Sequence, residues 1–146
     1  MDGNAVTAEW AERFNTPVIE EFRATGGKVG GDFAGLPILL LHNRGARSGA
    51  TRINPMAYLE REGRYLVFAS KAGADTHPAW YHNLKANPDA VIEVGTERLE
   101  VRAEEITGAE RAELFTEVVA AFPIMAEYQR GTRRTIPLMA LTPAGD

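Results

Sequence analysis

Arg44, Arg47 and Arg52 lie within nine residues of one another, interleaved with Gly45, Ser48, Gly49 and Thr51. Glycine lets a backbone approach an anion closely, and guanidinium forks match phosphate or carboxylate oxygens. The Ser and Thr hydroxyls add further donors. Such a group can hold an anionic ligand; a basic turn left in solvent is the plainer alternative. A second group, Ser70-Lys71-Ala72-Gly73-Ala74-Asp75, leaves an apolar strand and enters a loop of small residues. There backbone amides can face a flat ring or a phosphate, and Lys71 adds a point charge. A simple strand-to-helix connection would read the same way. Neither loop has the glycine spacing of a nucleotide-binding P-loop or a dinucleotide fingerprint.

Other reactive side chains carry less. His42, His77 and His82 form no metal-ligand pattern, and the spacing of five between the last two does not set them on one helix face. No metal site is expected. Ser48 and Ser70 lack the context of a hydrolase nucleophile. Trp80 can wall a ring-binding cleft or anchor a helix to a sheet. Phe122, Met125 and Tyr128 recur every three residues and can line an apolar pocket or pack a core.

These groups must be positioned by a small set of elements. Residues 7–25 read as helical, with Trp10, Phe14, Val18 and Phe22 on one face; Pro17 interrupts the pattern, and Thr16 can cap a second helix there. Gly26-Gly27 ends the helix. Its stripe can pack on the barrel, cover a cleft or touch a membrane. Packing or covering is preferred, because Glu9, Glu12, Glu20 and Glu21 suit an anionic lipid surface poorly. Strands are expected at Ile38–His42, Thr51–Glu60, Tyr65–Ser70, Ala90–Val94, Arg98–Ala103 and Ile136–Leu141. Pro55 marks an edge or bulge, and Arg61-Glu62-Gly63 a hairpin loop. Helices are expected at Pro78–Lys85, from Thr107 to about Ala121, and over Phe122–Arg130. Thr107 and Glu110 have capping-box spacing. About six strands with few helices between them suggest a mainly β (α+β), barrel-like antiparallel sheet rather than a doubly wound one.

The bulk properties agree. A chain of 146 residues, 45% hydrophobic and 25% charged, has room for one real core. A net charge of −4 gives little support to nucleic-acid binding. The absence of cysteine excludes disulfides and thiolate chemistry. The longest apolar run, Leu36 to Leu41, is far short of a membrane span, and the N-terminus lacks a basic-then-apolar leader. A soluble cytoplasmic protein is expected.

Taken together, three motifs resemble the deazaflavin-dependent nitroreductase family. They are Gly45-x-Arg47-Ser48-Gly49-x-x-Arg52-x-x-Pro55, Ala69-Ser70-Lys71-x-Gly73-Ala74-Asp75, and Pro78-Ala79-Trp80-Tyr81-x-Asn83-Leu84-Lys85-Ala86-Asn87-Pro88. Thr132-x-Arg134-Thr135-Ile136-Pro137 looks like that family's entry into its last strand. The likeness runs in unbroken order over about residues 36–143.

The resemblance implies a split β-barrel at 36–146, preceded by a helical segment and Gly-rich linker at 1–35. It implies the coenzyme F420, whose reduced form gives a hydride to a flat acceptor such as a quinone or a nitro compound. Arg47 and Arg52, with Ser48 and Pro55 beside them, match its anion-binding segment. Ala69, Ser70, Lys71, Ala72, Gly73, Ala74 and Asp75 match the loop that meets the deazaflavin; Trp80 and Asn83 match residues beside the site. Met56, Trp80, Phe122, Met125 and Tyr128 would shape the acceptor pocket. Members active on bulky nitroimidazoles carry several tyrosines along the segment matching Phe122 to Tyr128. Here only Tyr128 keeps its phenol, and Ala57 replaces a further aromatic. Tyr128 is therefore the candidate proton donor, and a quinone the better-suited acceptor. An FMN-dependent split-barrel enzyme and a non-catalytic F420 carrier are the alternatives. A homodimer is expected from sheets of this kind.

Overall fold

The computed structural model describes residues 15–31 and 34–144. A helix over 15–25 (α1) is followed by strands β1 (Ile38–Arg44), β2 (Thr51–Ala57), β3 (Leu59–Arg61) and β4 (Arg64–Phe68). Then come a single 3-10 turn (Lys71–Gly73), α2 (Ala79–Ala86), β5 (Asp89–Val94), β6 (Glu97–Ile106), α3 (Gly108–Ala121), α4 (Ile124–Arg130) and β7 (Leu138–Pro143). Every strand pairing is antiparallel, in the order β2-β1-β5-β6-β7-β4-β3.

The two edge strands of this sheet, β2 and β3, are consecutive in the chain and separated by Tyr58 alone. The sheet must therefore curl until its edges meet, which is how a barrel disposes of open edges. Here the expectation of one strand over Thr51–Glu60 is corrected. The run changes partner at Tyr58, whose N–H donates to Pro37 O at 3.1 Å, so seven strands replace six. Pro55 lies in edge strand β2, a position that tolerates its missing N–H. The β3–β4 hairpin closes through Glu62-Gly63, both at positive φ (53° and 79°), the geometry of a two-residue hairpin turn.

Strands β1, β4 and β7 are covered on both faces, which is why they read as apolar runs without alternation. Leu39, Leu41, Val67, Met139 and Leu141 point into the barrel interior with Leu84, Ile92, Val101 and Ala103. Leu66, Leu138 and Ala140 face outward, under Val118, Phe122 and Met125 of the α3–α4 region. Ile38 and Leu40 face Phe22 of α1, with Val18 and Ile19 alongside. Phe22 is fully buried, a contribution of about 2–3 kcal/mol. The described part of α1 thus packs on the barrel; Trp10 and Phe14, the other half of its expected stripe, lie outside the described residues.

Two local expectations change. Helix α3 starts beside Thr107 as expected, but the Thr107 side chain makes no capping bond and Glu110 reaches Arg64 instead, at 3.4 Å. The last strand begins at Leu138 rather than Ile136. The Ile136 N–H donates to Gln129 Oε1 at 2.9 Å, and its carbonyl accepts from Arg111 Nη2 at 2.6 Å, so that peptide is captured before it can join the ladder. Among the described residues no helix is long and apolar enough to cross a membrane.

Candidate functional site

The arginine turn joins β1 to β2, closed by Gly45 N–H to Ala50 O at 2.8 Å and Gly49 N–H to Gly45 O at 2.9 Å. What holds its shape is a buried amide cluster beneath it. Asn83 Oδ1 accepts from Ala46 N–H at 2.9 Å, while Asn83 Nδ2 donates to Asn43 Oδ1 at 2.7 Å. Asn43 Nδ2 in turn donates to Asn54 Oδ1 at 3.0 Å. Among the described residues Asn43 and Asn83 are the buried polar side chains, and each finds partners. Asn83, expected beside a ligand, directs its amide to the turn. Asn43 and Asn54 are not singled out from sequence; the available signal is that Asn43 continues the inward alternation of Leu39 and Leu41.

Above this scaffold Arg44, Arg47, Ser48 and Arg52 are exposed. Among the described residues none of the three arginines has a carboxylate within ion-pair distance, whereas Arg23, Arg61, Lys85 and Arg102 each have one and Arg64 has two. Ser48 Oγ accepts from Ala50 N–H at 3.1 Å, leaving its own proton to donate outward. Pro55 and Met56 are half-buried further along β2, with Met56 packed on the interior cluster.

The small-residue turn is held differently. Ser70 is right-handed (φ −78°, ψ −36°) and Lys71, Ala72 and Gly73 follow at φ 47°, 53° and 82°. A right-handed residue followed by a left-handed one is the backbone order of an anion nest. Gly73 is required: a Cβ there would lie 3.3 Å from the Tyr128 backbone of α4. Arg134 braces the turn from the other side, donating to Ala74 O and Ser70 O at 2.8 Å each and to Ala69 O at 3.1 Å. Burial holds its pKa below the usual guanidinium value. Arg134 is a residue to which sequence reasoning assigns no role. Asp75 accepts from Thr132 Oγ1 at 3.0 Å, and Lys71 Nζ turns to Thr76 Oγ1 at 3.2 Å. Asp75, Arg130, Thr132, Arg133 and Arg134 line an open cleft of about 620 Å³ with an excess of positive charge.

Helix α2 spans the two turns. Its Asn83 touches the first; His77, just before it, accepts from Arg134 Nη1 at 3.1 Å beside the second. The helix is tied to β6 through Glu105, which accepts from Tyr81 Oη at 2.7 Å and Lys85 Nζ at 3.0 Å. Burial and that bond to Glu105 push the Tyr81 phenol up to about 12, so Tyr81 stays protonated. Burial, then the charges of Arg134 and His82, lower the His77 pKa. His77 and His82 have ring centres 5.7 Å apart; among the described residues no three His, Asp or Glu side chains gather as a metal set. Trp80 is half-buried on the same interior cluster as Met56.

The aromatic segment divides. Tyr128 is half-buried against the 3-10 turn. Phe122 and Met125 are 8% and 2% exposed, and the Phe122 ring packs at a tilt on Phe68 with centroids 5.3 Å apart, so both sit in the packed cluster behind it. The structure thus gathers the 70–75 loop, Tyr128, Arg134 and the start of α2 together. It sets the arginine turn at the other end of α2.

A curled antiparallel sheet whose edges join through one residue, with such turns beside it, defines the split β-barrel of flavin- and deazaflavin-type oxidoreductases. The chain matches the F420H(2)-dependent quinone reductase family over residues 15–143 and belongs to it. It is 36% identical over 130 residues to an F420H(2)-dependent quinone reductase of Mycobacterium tuberculosis H37Rv, covering 83% of this chain and 84% of that one. A solved F420-H2 dependent reductase superposes with a TM-score of 0.67 at 40% identity, covering 72% of this chain and 93% of that chain. A structure described as a domain-swapped dimer superposes at 0.69 with 34% identity, covering 92% and 98%. The residues present fit a coenzyme with an anionic tail: exposed arginines, without acidic partners among the described residues, stand on a hydrogen-bonded turn, and a second turn has the backbone order of an anion nest.

Proposed function

We propose that this protein reduces a quinone with hydride from reduced F420. Membership of the quinone reductase family along residues 15–143 is the observation that carries the reading. Bound F420H2 supplies the hydride, and the protein supplies orientation. In this reading Arg47, Arg52 and Lys71 bind the negative tail, with Ser48 donating. The backbone of Ser70 to Asp75 meets the ring edge. Met56, Trp80 and Tyr128 border the slot for a flat acceptor, while Phe122 and Met125 back it from the core. A quinone carbonyl takes its proton from solvent or from Tyr128. Residues 36–146 form the coenzyme-binding unit, with 1–35 as an accessory segment.

Nitroimidazoles belong to this reading as poor substrates. Their ring must be held in one orientation for hydride to reach one carbon, and Tyr128 alone offers a phenol for that. A homodimer is also proposed, on the strength of the dimeric structural relative. The test is titration with F420 and FMN side by side, read by fluorescence quenching, then F420H2 oxidation with menadione and with a bicyclic nitroimidazole. Tighter F420 binding and faster menadione turnover are expected. FMN binding as tight as F420 overturns the coenzyme assignment; nitroimidazole turnover equal to that of menadione overturns the acceptor assignment.

A further inference from the structure

We propose that Arg134 is a positioning residue for the coenzyme: its guanidinium holds the Ser70–Ala74 turn in the shape that receives it. The proposal rests on the F420 reading above. Three observations carry it. First, one planar fork meets three carbonyls that bracket the turn, Ala69 O and Ser70 O before it and Ala74 O after it. Second, what lies between is strained: Lys71 and Ala72 are left-handed without being glycine, a backbone that persists only where its surroundings over-determine it. Third, Arg134 is itself held, because Gln129 Nε2 of α4 donates to Arg134 O at 2.8 Å. The brace therefore runs from α4, which carries Tyr128, to the turn.

The fork also donates to His77 Nδ1, so His77 in this arrangement is neutral with its proton on Nε2. A lysine cannot replace the fork, since an ammonium on a flexible stem does not reproduce a planar set of parallel donors. A purely structural Arg134 would behave differently. Its loss would lower stability, but molecules that still folded would bind coenzyme as before.

Amide hydrogen exchange on the coenzyme-free protein reads the turn itself, independently of any ligand. F420 affinity, read by fluorescence quenching, reports the consequence. In Arg134→Ala, exchange at residues 71–74 should accelerate while the barrel strands stay protected. The Kd for F420 should rise about tenfold or more, as expected when charge-assisted hydrogen bonds are removed. Added guanidinium ion should restore part of the affinity and methylammonium should not. Unchanged exchange, or faster exchange with an unchanged Kd, overturns the proposal. If Arg134→Ala does not fold, the same readouts on Arg134→Lys decide it. Wild-type protein that binds no F420 sinks the coenzyme reading instead, and the exchange comparison then still tests whether Arg134 holds the turn.

Discussion

The two turns proposed to meet the coenzyme are held in shape in opposite ways. The Arg44–Arg52 turn keeps its charges outside and its scaffold neutral: buried asparagine amides hold the backbone, and exposed arginines are left without acidic partners among the described residues. The Ser70–Asp75 turn is held instead by a part-buried charge. Arg134 directs its donors to the backbone carbonyls of a turn built of small residues. The first arrangement suits a flexible, multiply charged tail that needs long-range attraction. The second suits a rigid ring that needs shape. A neutral amide scaffold also avoids placing a buried cation beneath a site already rich in arginine, where like charges would repel.

The sharpest way to break this comparison is to remove the outer charges. Arg47→Ala with Arg52→Ala should weaken F420 binding by about 1.5–3 kcal/mol for each arginine removed, with little change in thermal stability. The effect should shrink at high salt, where exposed charges are already screened. An unchanged Kd in the double variant would mean that the first turn is solvated surface and the contrast is false.

Removing the neutral scaffold should cost stability as well as affinity. Asn83→Leu leaves the buried Asn43 Oδ1 without this donor and frees the Ala46 N–H, at a cost of about 1–3 kcal/mol in folding stability. Thermal melting should register this directly, and F420 affinity should fall because the turn loses its shape. A variant as stable as wild type would show that the amide cluster is not what holds the turn.

Acid offers a smaller, global probe. Hydrogen bonding to Arg23, against the cost of burial and helped by His42, holds the Glu93 carboxyl down at about 2, below the ordinary carboxylate value of 4.5. A depressed folded-state value means stability that is fully present above pH 4.5 and is lost as pH falls from there toward 2. Because Arg23 is half-exposed, the contribution is about 1–2 kcal/mol after allowance for screening. Glu93 ties α1 to β5 and to His42 of β1, on the strand face opposite Asn43. Glu93→Gln should flatten the acid limb of a stability profile measured by denaturant titration, leaving both turns and F420 affinity at neutral pH intact. An acid limb unchanged in the variant would show that Glu93 does not set it.

The smallest effect is expected at Tyr128→Phe. Menadione turnover should fall less than about tenfold, well short of the roughly 10²–10⁴-fold that a required general acid supplies, since solvent can provide the proton. A much larger loss, measured as kcat at saturating F420H2, would make the phenol indispensable. It would give α4, rather than either turn, the decisive chemical role.

Much of this architecture was legible in the residues. Apolar runs marked the doubly covered strands, Arg61-Glu62-Gly63 marked a hairpin, Gly-, Ser- and Arg-rich spacing marked the first turn, and a run of small residues marked the second. These signals are local: they depend on side-chain type and on backbone freedom within a few positions. The partner change at Tyr58 was not legible, because a strand that crosses from one sheet edge to the other has the same propensity throughout. Nor could the period of three over Phe122, Met125 and Tyr128 separate the two that are buried from the one beside the turn.

The residues alone pointed to an antiparallel, barrel-like sheet and to an arginine-rich turn of a type that can hold an anion, and their motifs resembled a deazaflavin-dependent family, which the family match then established. Tertiary structure alone decided which polar groups serve as scaffolding. Asn83 meets Asn43 across forty residues, and Arg134 reaches Ser70 across sixty-four. No sequence window contains such pairs. Only the closure of the barrel brings them within hydrogen-bonding distance, and burial then makes leaving any of them unpaired costly.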